Sequence, residues 1–506
     1  MSHSLPNHSL FDHLLNPATD PARLAIETAD GGRLSYGDLR AATGRMANAL
    51  VAAGVRPGDR VAVQVEKSVE ALVLYLACLR AGMVYLPLNT AYTPAELSYF
   101  VGDAEPALVV CDPARLDATT ALAGAVAVRT LDARGQGSLT EAAAGQPEEF
   151  ATVARGPDDL AAILYTSGTT GRSKGAMLTQ ENLLSNARVL QSEWRFGPDD
   201  VLLHALPIFH THGLFVACNL VLLSGASMVL LPRFDPADVL ARLPAATVMM
   251  GVPTFYIRLL GQQGLTPEAC RSIRLFVSGS APLLAETHRA WEERTGHRIL
   301  ERYGMTETGM LTSNPYDGDR VAGTVGFPLP GVDLRIADPA TGAPLAGDAI
   351  GAIEVRGPNV FKGYWRMPEK TAAEFRPDGF FITGDLGRVD GRGYLHIVGR
   401  GKDLIISGGF NVYPKEVEGE IDELPGVLES AVIGIPHPDF GEAVVAVVVA
   451  DGTAPVTEAT VAAALKDRLA RYKQPKRVVV VDELPRNSMG KVQKAQLRDA
   501  HAGVFG

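Results

Sequence analysis

The chain has 506 residues with 46% hydrophobic content, and its 47 Lys and Arg face 57 Asp and Glu for a net charge of −10. That length exceeds what a single hydrophobic core usually serves, so two or more domains are expected, and the apolar content excludes disorder as the general state. Net acidity argues against a dedicated nucleic-acid or anionic-membrane partner, because such binding needs clustered cations.

In chain order, Met1 to Phe11 carry no Lys or Arg and no long apolar run, so no secretory signal is expected. Helical spacing over Tyr36–Ala53 leads to a short apolar strand, Arg60–Gln64. The alternation repeats with a helix over Val69–Ala81 before Tyr85–Leu88, and a helix over Thr93–Val101 before Ala107–Val110. Short apolar strands separated by helix-length segments imply crossover connections and largely parallel sheets covered on both faces. The Ala-rich stretch Ala118–Ala144 reads as a surface segment. Leu214–Leu231 has no charge and is long enough to raise the question of a membrane span, but Asn219 and Ser224–Ser227 divide it into a short apolar helix, a turn and a strand. After Gly323 strands and glycine turns predominate. From Gly399 a compact tail follows, with a helix near Pro414–Ile421, strands Ala431–Ile435 and Val444–Val449, a helix Glu458–Tyr472 and a strand Val478–Val481. Cys78, Cys111, Cys218 and Cys270 show no CxxC spacing, which fits a reducing cytoplasm better than a disulfide framework.

The strongest local signal is the apolar strand Ala161–Tyr165 running into Thr166-Ser167-Gly168-Thr169-Thr170-Gly171-Arg172-Ser173-Lys174-Gly175. Small residues let backbone N–H groups approach phosphate oxygens, hydroxyls add donors, and Lys174 supplies charge. The spacing is not that of the NTPase P-loop, because Lys174 follows Gly171 by three and is itself followed by glycine.

Further motifs follow in order: Leu206-Pro207-Ile208-Phe209-His210-Thr211-His212-Gly213, Ser278-Gly279-Ser280-Ala281-Pro282, Glu301-Arg302-Tyr303-Gly304-Met305-Thr306-Glu307, Thr383-Gly384-Asp385, Gly399-Arg400 and Pro485-Arg486-Asn487-Ser488-Met489-Gly490-Lys491. Together with the phosphate loop they resemble the acyl-adenylate-forming enzymes: acyl-CoA synthetases, luciferases and peptide-synthetase adenylation domains. The resemblance implies an α/β fold. A large N-terminal domain, 1–400, would hold largely parallel sheets flanked by helices plus a β-rich layer, and 401–506 would form a small mobile α+β domain.

It also implies a two-step ligase reaction with ATP and CoA as co-substrates and Mg²⁺ as cofactor. On that resemblance Lys491 stabilises charge developing at the α-phosphate, a kind of electrostatic help that is often the largest catalytic effect. Glu307 is the magnesium ligand beside Thr306, and His210 is an aromatic gate near the phosphate. Asp385 accepts from the ribose hydroxyls, with Arg400 beside it. Segments Gly279-Ser280-Ala281 and Glu301-Arg302-Tyr303-Gly304-Met305-Thr306 wall the adenine, while Thr166–Gly171 and Lys174 hold phosphates. Ser407, Gly408, Gly409 and Phe410 occupy the position of the glycine-rich strand that meets the pantetheine arm, and Lys402 falls at the hinge. Lys491 is also where acetylation would remove the charge, which implies a lysine acetyltransferase as a partner.

The acid is read from two segments. His210 and His212 flank Thr211, so alternation on an extended segment would put both imidazoles on one side; zinc is disfavoured because no third and fourth ligands of suitable spacing occur. Gly251–Arg258 reads as a strand end leading into a helix, with Arg258 on its first turn. Arginine in an acyl pocket suits a second carboxylate, which a planar guanidinium grips with paired bonds. Arg258, His212 and Ser280 resemble the combination in malonyl-CoA synthetases, as do Glu66-Lys67-Ser68-Val69-Glu70, Pro87–Tyr92, Asn314–Gly318 and Gly363–Arg366. Malonate is therefore the expected acid and methylmalonate a second candidate, while Arg289 is a lesser candidate cation. Other acyl-CoA synthetases, a carrier-protein acylating domain and an inactive nucleotide-binding protein stay open at this point.

Overall fold

The computed structural model describes residues 8–166, 173–466, 468–487 and 490–505. Among these residues the strands form four sheets. The largest runs Phe327–Pro328, Gly309–Ser313, Leu300–Met305, Leu275–Ser278, Val248–Gly251, Val201–His204, Ser227–Leu230, Leu24–Thr28, Arg33–Ser35. Its inner members, Leu300–Met305 through Leu24–Thr28, are mutually parallel, and antiparallel strands close both edges. A second sheet orders Ala127–Thr130, Leu108–Cys111, Arg60–Gln64, Val84–Pro87, Leu160–Thr166 and Lys174–Thr179, parallel except for the last hairpin. Every residue of Leu108–Cys111 and Val84–Pro87 is buried, as helices on both sheet faces require, which is why these strands read as continuous apolar runs.

Helix starts are chemically marked: Ser35 with Asp38 and Thr93 with Glu96 form reciprocal capping boxes. The segment Ala118–Ala144 lies largely at the surface, as expected, and is regular there. Helices Leu116–Ala123 and Ser138–Ala144 bracket the edge strand Ala127–Thr130, because alanines favour helix wherever a sheet edge can receive them. Leu214–Leu231 resolves into a π-helix His212–Cys218, an α-helix Asn219–Leu223, a turn with Gly225 at φ 63°, and the inner strand Ser227–Leu230. Among the described residues no helix is long and apolar enough to cross a membrane.

Asp333–Ala337, Gly351–Arg356, Phe381–Val389 and Leu395–Arg400 make an antiparallel sheet, the β-rich layer expected after Gly323. The last sheet lies wholly beyond it: Phe410–Val412, Ile405–Ser407, Gly441–Ala450 and Val427–His437, with Arg477–Val481 added in parallel. Alternation along its strands sends Val432, Val444, Ala446 and Val448 to one side, where Val417, Ile421, Val461 and Leu465 cover them. Ala431, Ile433, Val445 and Val447 go to the other side, under Leu484 and Leu497. The helix expected to reach Tyr472 stops at Leu465.

Candidate active site

Five chain segments that leave the carboxyl ends of parallel strands converge on one crevice, the usual ligand site of open α/β sheets. They follow Leu160–Thr166, Val201–His204, Val248–Gly251, Leu275–Ser278 and Leu300–Met305. The first is the phosphate loop, a hairpin in which Thr166 pairs with Lys174 across the ladder; Ser167, Gly168, Thr169, Thr170 and Gly171 lie outside the described residues. Lys174 is buried, its Nζ 3.0 Å from Glu374 Oε1 and 4.0 Å over the Tyr364 ring.

Thr306 and Glu307 occupy the turn after Leu300–Met305. Glu307 is buried, and its Oε1 accepts from Tyr364 Oη at 3.0 Å, with the Thr166 hydroxyl at 3.5 Å. Burial raises its pKa, opposed by Tyr364 and by the cations Lys174 and Arg400. Among the described residues no cluster of three or more His, Cys, Asp or Glu forms a metal cage. A single carboxylate beside a phosphate loop does fit Mg²⁺ arriving with its phosphates, since that ion keeps waters and takes one or two protein carboxylates.

Asp385 is gripped from two sides: Tyr303 Oη donates to Oδ2 at 2.5 Å, and Arg400 Nε lies 2.8 Å from Oδ1. The Tyr303 hydroxyl is held strongly in its protonated form by burial and by that carboxylate. The ammonium of Lys491 lies in the field of Arg400, Lys402, Asp385 and Asp403, so the C-terminal residues reach the crevice. Desolvation, reinforced by Arg400 and Lys402, lowers its pKa, although the residue keeps accessible surface in the open cleft. Gly490 brings the chain against the Thr254 side chain at φ 74°; Ser488 and Met489 of the same motif lie outside the described residues.

The histidine segment is not extended. It turns at His210, Thr211 is helical, and His212 begins the π-helix, so the His210 ring folds back on the turn: the His212 backbone N–H donates to His210 Nδ1 at 3.2 Å. Single-turn π segments are frequent at functional sites. Burial, with Arg302 and Lys491 nearby, drops the His210 pKa to about 4, so the ring is neutral at physiological pH. His212 is also kept neutral by burial; its Nδ1 lies 3.3 Å from Ser280 Oγ and its Nε2 has no partner in the protein. Ser280 sits at φ 71°, a left-handed conformation rare outside glycine and frequent at functional sites.

The acyl side departs from the sequence reading. Arg258 lies on the last turn of Pro253–Leu260, not the first, and is exposed. It is one helical turn beyond Thr254, on the face that meets Gly490. Arg289 is exposed on Ala285–Thr295. The buried cation on the strand Leu300–Met305 is Arg302, expected only as part of an adenine wall. It is 3% exposed, its Nε and Nη2 have no partner in the protein, and among the described residues no carboxylate forms a salt bridge with it. Desolvation pulls its pKa down to about 9. Orphaned buried donors of this kind point to a bound acceptor. The sequence held one signal for it, a charged pair, Glu301 and Arg302, inside a strand and directly after the apolar Ile299-Leu300. Glu301, on the opposite face of the same strand, accepts the Leu283 N–H at 3.3 Å and is raised to about 8 by burial.

Gly408 and Gly409, at φ 58° and 82°, form the two-residue turn between Ile405–Ser407 and Phe410–Val412. Positive φ at both central positions demands glycine there for the hairpin alone. Ser407 is buried, while Phe410 is 56% exposed and stacks on Tyr472 at 4.7 Å. Lys402 is exposed in the 3₁₀ turn Gly401–Asp403.

A large domain whose crevice holds Asp385 between Tyr303 and Arg400, and a smaller one that brings Lys491 into their field, make the arrangement of an adenylate-forming enzyme. Residues 15–365 match the AMP-binding enzyme family and residues 416–491 its C-terminal domain; the chain belongs to that family. ATP-bound MatB from Rhodopseudomonas palustris is 64% identical, covering 99% of this chain and 100% of its own, with a TM-score of 0.97; apo MatB superimposes at 0.86. A feruloyl-CoA synthase from Amycolatopsis sp is 39% identical over 92% of this chain and 94% of its own length. A malonate–CoA ligase from Arabidopsis thaliana is 35% identical over 94% and 86%. The last two relatives are named as a CoA synthase and a CoA ligase, and this chain is an acid–thiol ligase of that family.

Proposed function

We propose that the protein is an AMP-forming malonate–CoA ligase that also accepts methylmalonate. The observation that carries this reading is Arg302: a buried guanidinium without a protein carboxylate, packed on Gly279 and close enough to act on His212, suits an acid that brings a second negative charge. Leaving such a cation unpaired costs several kcal/mol, which a monocarboxylate would not offset. Arg258, exposed at the crevice mouth, adds a weaker, solvent-screened attraction. The name of the Arabidopsis relative points the same way.

In the first step one malonate carboxylate oxygen attacks the α-phosphorus, the bond to the β-phosphate bridge breaks, and diphosphate leaves. Lys491 would face the α-phosphate, Lys174 the outer phosphates, and Glu307 would hold Mg²⁺, which would neutralise phosphate charge. In the second step CoA sulfur attacks the acyl carbon, the acyl C–O bond breaks, AMP departs, and the thiol proton passes to solvent. The C-terminal domain, taken from residue 401, turns about Lys402 to bring Ser407–Phe410 to the pantetheine arm. Acetylation of Lys491 would stop the first step by removing the charge, which gives a lysine acetyltransferase a place to act.

The test is AMP release with malonate, methylmalonate, succinate, acetate, butyrate and benzoate. Malonate is expected to be preferred, and Arg302→Met to lower its kcat/KM by roughly 10²-fold or more, against about tenfold for Arg258→Ala. Preference for a monocarboxylate, or an unchanged constant in Arg302→Met, would overturn the assignment.

A further inference from the structure

Lys67 precedes the N-cap Ser68 of helix Val69–Arg80, a poor place for a cation because the helix dipole is positive there. It is only 7% exposed, and no carboxylate pairs with it among the described residues. Its ammonium instead uses all three N–H donors: on His204 Nδ1 at 2.7 Å, on His204 O at 2.9 Å and on Leu206 O at 2.9 Å. Because Nδ1 accepts, the His204 proton is on Nε2, which donates to Gly213 O at 2.8 Å, with Cys218 Sγ 3.3 Å away. The chain closes on itself at this point, since a Cβ on Gly213 would lie 2.0 Å from Pro207 O. The segment between Leu206 and Gly213 is therefore a loop with a stapled neck, and it carries both His210 and His212.

We infer that Lys67 and His204 are positioning residues which close the neck of this loop and so set His212 against the acid. Two costs are met at Lys67, burial of an ammonium with no carboxylate and a position opposed by the helix dipole; burial, opposed by Cys218, pulls its pKa to about 7. A packing role would be filled as well by Met. What Met cannot do is tie the end of strand Val201–His204 to the start of the π-helix through one imidazole.

The inference rests on the proposed function only in that His212 faces the acid, so the test uses whichever acid the parent protein turns over best. Lys67→Met and His204→Asn are expected to raise the acid KM by about tenfold or more while the ATP KM stays within about twofold. His204→Gln keeps an N–H near the ε position and is expected to recover most of that loss, whereas Asn reaches only toward Lys67. Equal changes in both KM values, or an acid KM within twofold of the parent in folded Lys67→Met or His204→Asn, would overturn it. Nitrogen-15 spectra of histidine-labelled parent protein test the staple without any substitution: a neutral Nε2–H tautomer at His204 is expected, and an Nδ1–H tautomer or an imidazolium would refute it.

Discussion

The Arg302 guanidinium packs directly on the backbone of Gly279: a Cβ built there would lie 2.4 Å from Arg302 Cζ and 2.5 Å from Nη1. The absent side chain at Gly279 thus leaves the space in which the Arg302 guanidinium rests. Gly279→Ala is expected to push Arg302 out of the pocket and lower kcat/KM for malonate by about tenfold or more, with the ATP KM changed less. Steady-state kinetics with each substrate varied in turn checks this; parallel losses for acid and nucleotide would show a general collapse of the wall instead.

Glu301 gives the fold a pH dependence of defined sign. Its carboxyl is raised to about 8 in the fold, whereas an unfolded glutamate titrates near 4.5. Between those values the folded state binds the extra proton, so this group's stabilisation is complete below about pH 4.5 and is lost as pH rises to about 8, with a slope of up to about 1.4 kcal/mol per pH unit. Glu301→Gln has no proton to lose. Urea midpoints from pH 5 to 9 are expected to show the variant gaining on the parent as pH rises; parallel profiles would place an ionised carboxylate at 301.

Lys402 sits in the 3₁₀ turn Gly401–Asp403, and Asp403 is tied by Arg498 at 2.9 Å to the C-terminal helix Lys494–Ala500. The turn therefore lies between strand Leu395–Arg400 and residues tied to the smaller domain, where the proposed hinge falls. Proline fixes φ and stiffens this pivot. Lys402→Pro is expected to retain acid-dependent ATP–diphosphate exchange within a few-fold and to lose thioester formation by at least about tenfold. Equal loss in both half-reactions would remove the hinge role.

Strand and helix order, the parallel α/β architecture, the antiparallel layer and the ATP motifs were legible in the sequence, because apolar periodicity, glycine turns and local motifs are properties of neighbouring residues. Tyr36–Ala52 and Arg60–Gln64 fall where their patterns put them. The acid pocket was legible only in part. Arg258 follows a strand end and so reads as a pocket residue, yet the helical phase that leaves it exposed depends on where Pro253–Leu260 begins.

Arg302 looked like one residue of an adenine wall. Only the packing of Leu300–Met305 beside Leu275–Ser278, which sets its guanidinium against Gly279 with two nitrogen atoms unpaired, makes it the buried cation. Lys67 and His204 are 137 residues apart, and nothing local links them. Which charges are desolvated, and which remain without a partner, is decided when distant strands and loops meet. By itself the sequence determined the fold class and the family motifs; the tertiary structure decided that Arg302 is buried without a carboxylate partner, because burial and pairing are properties of the assembled core.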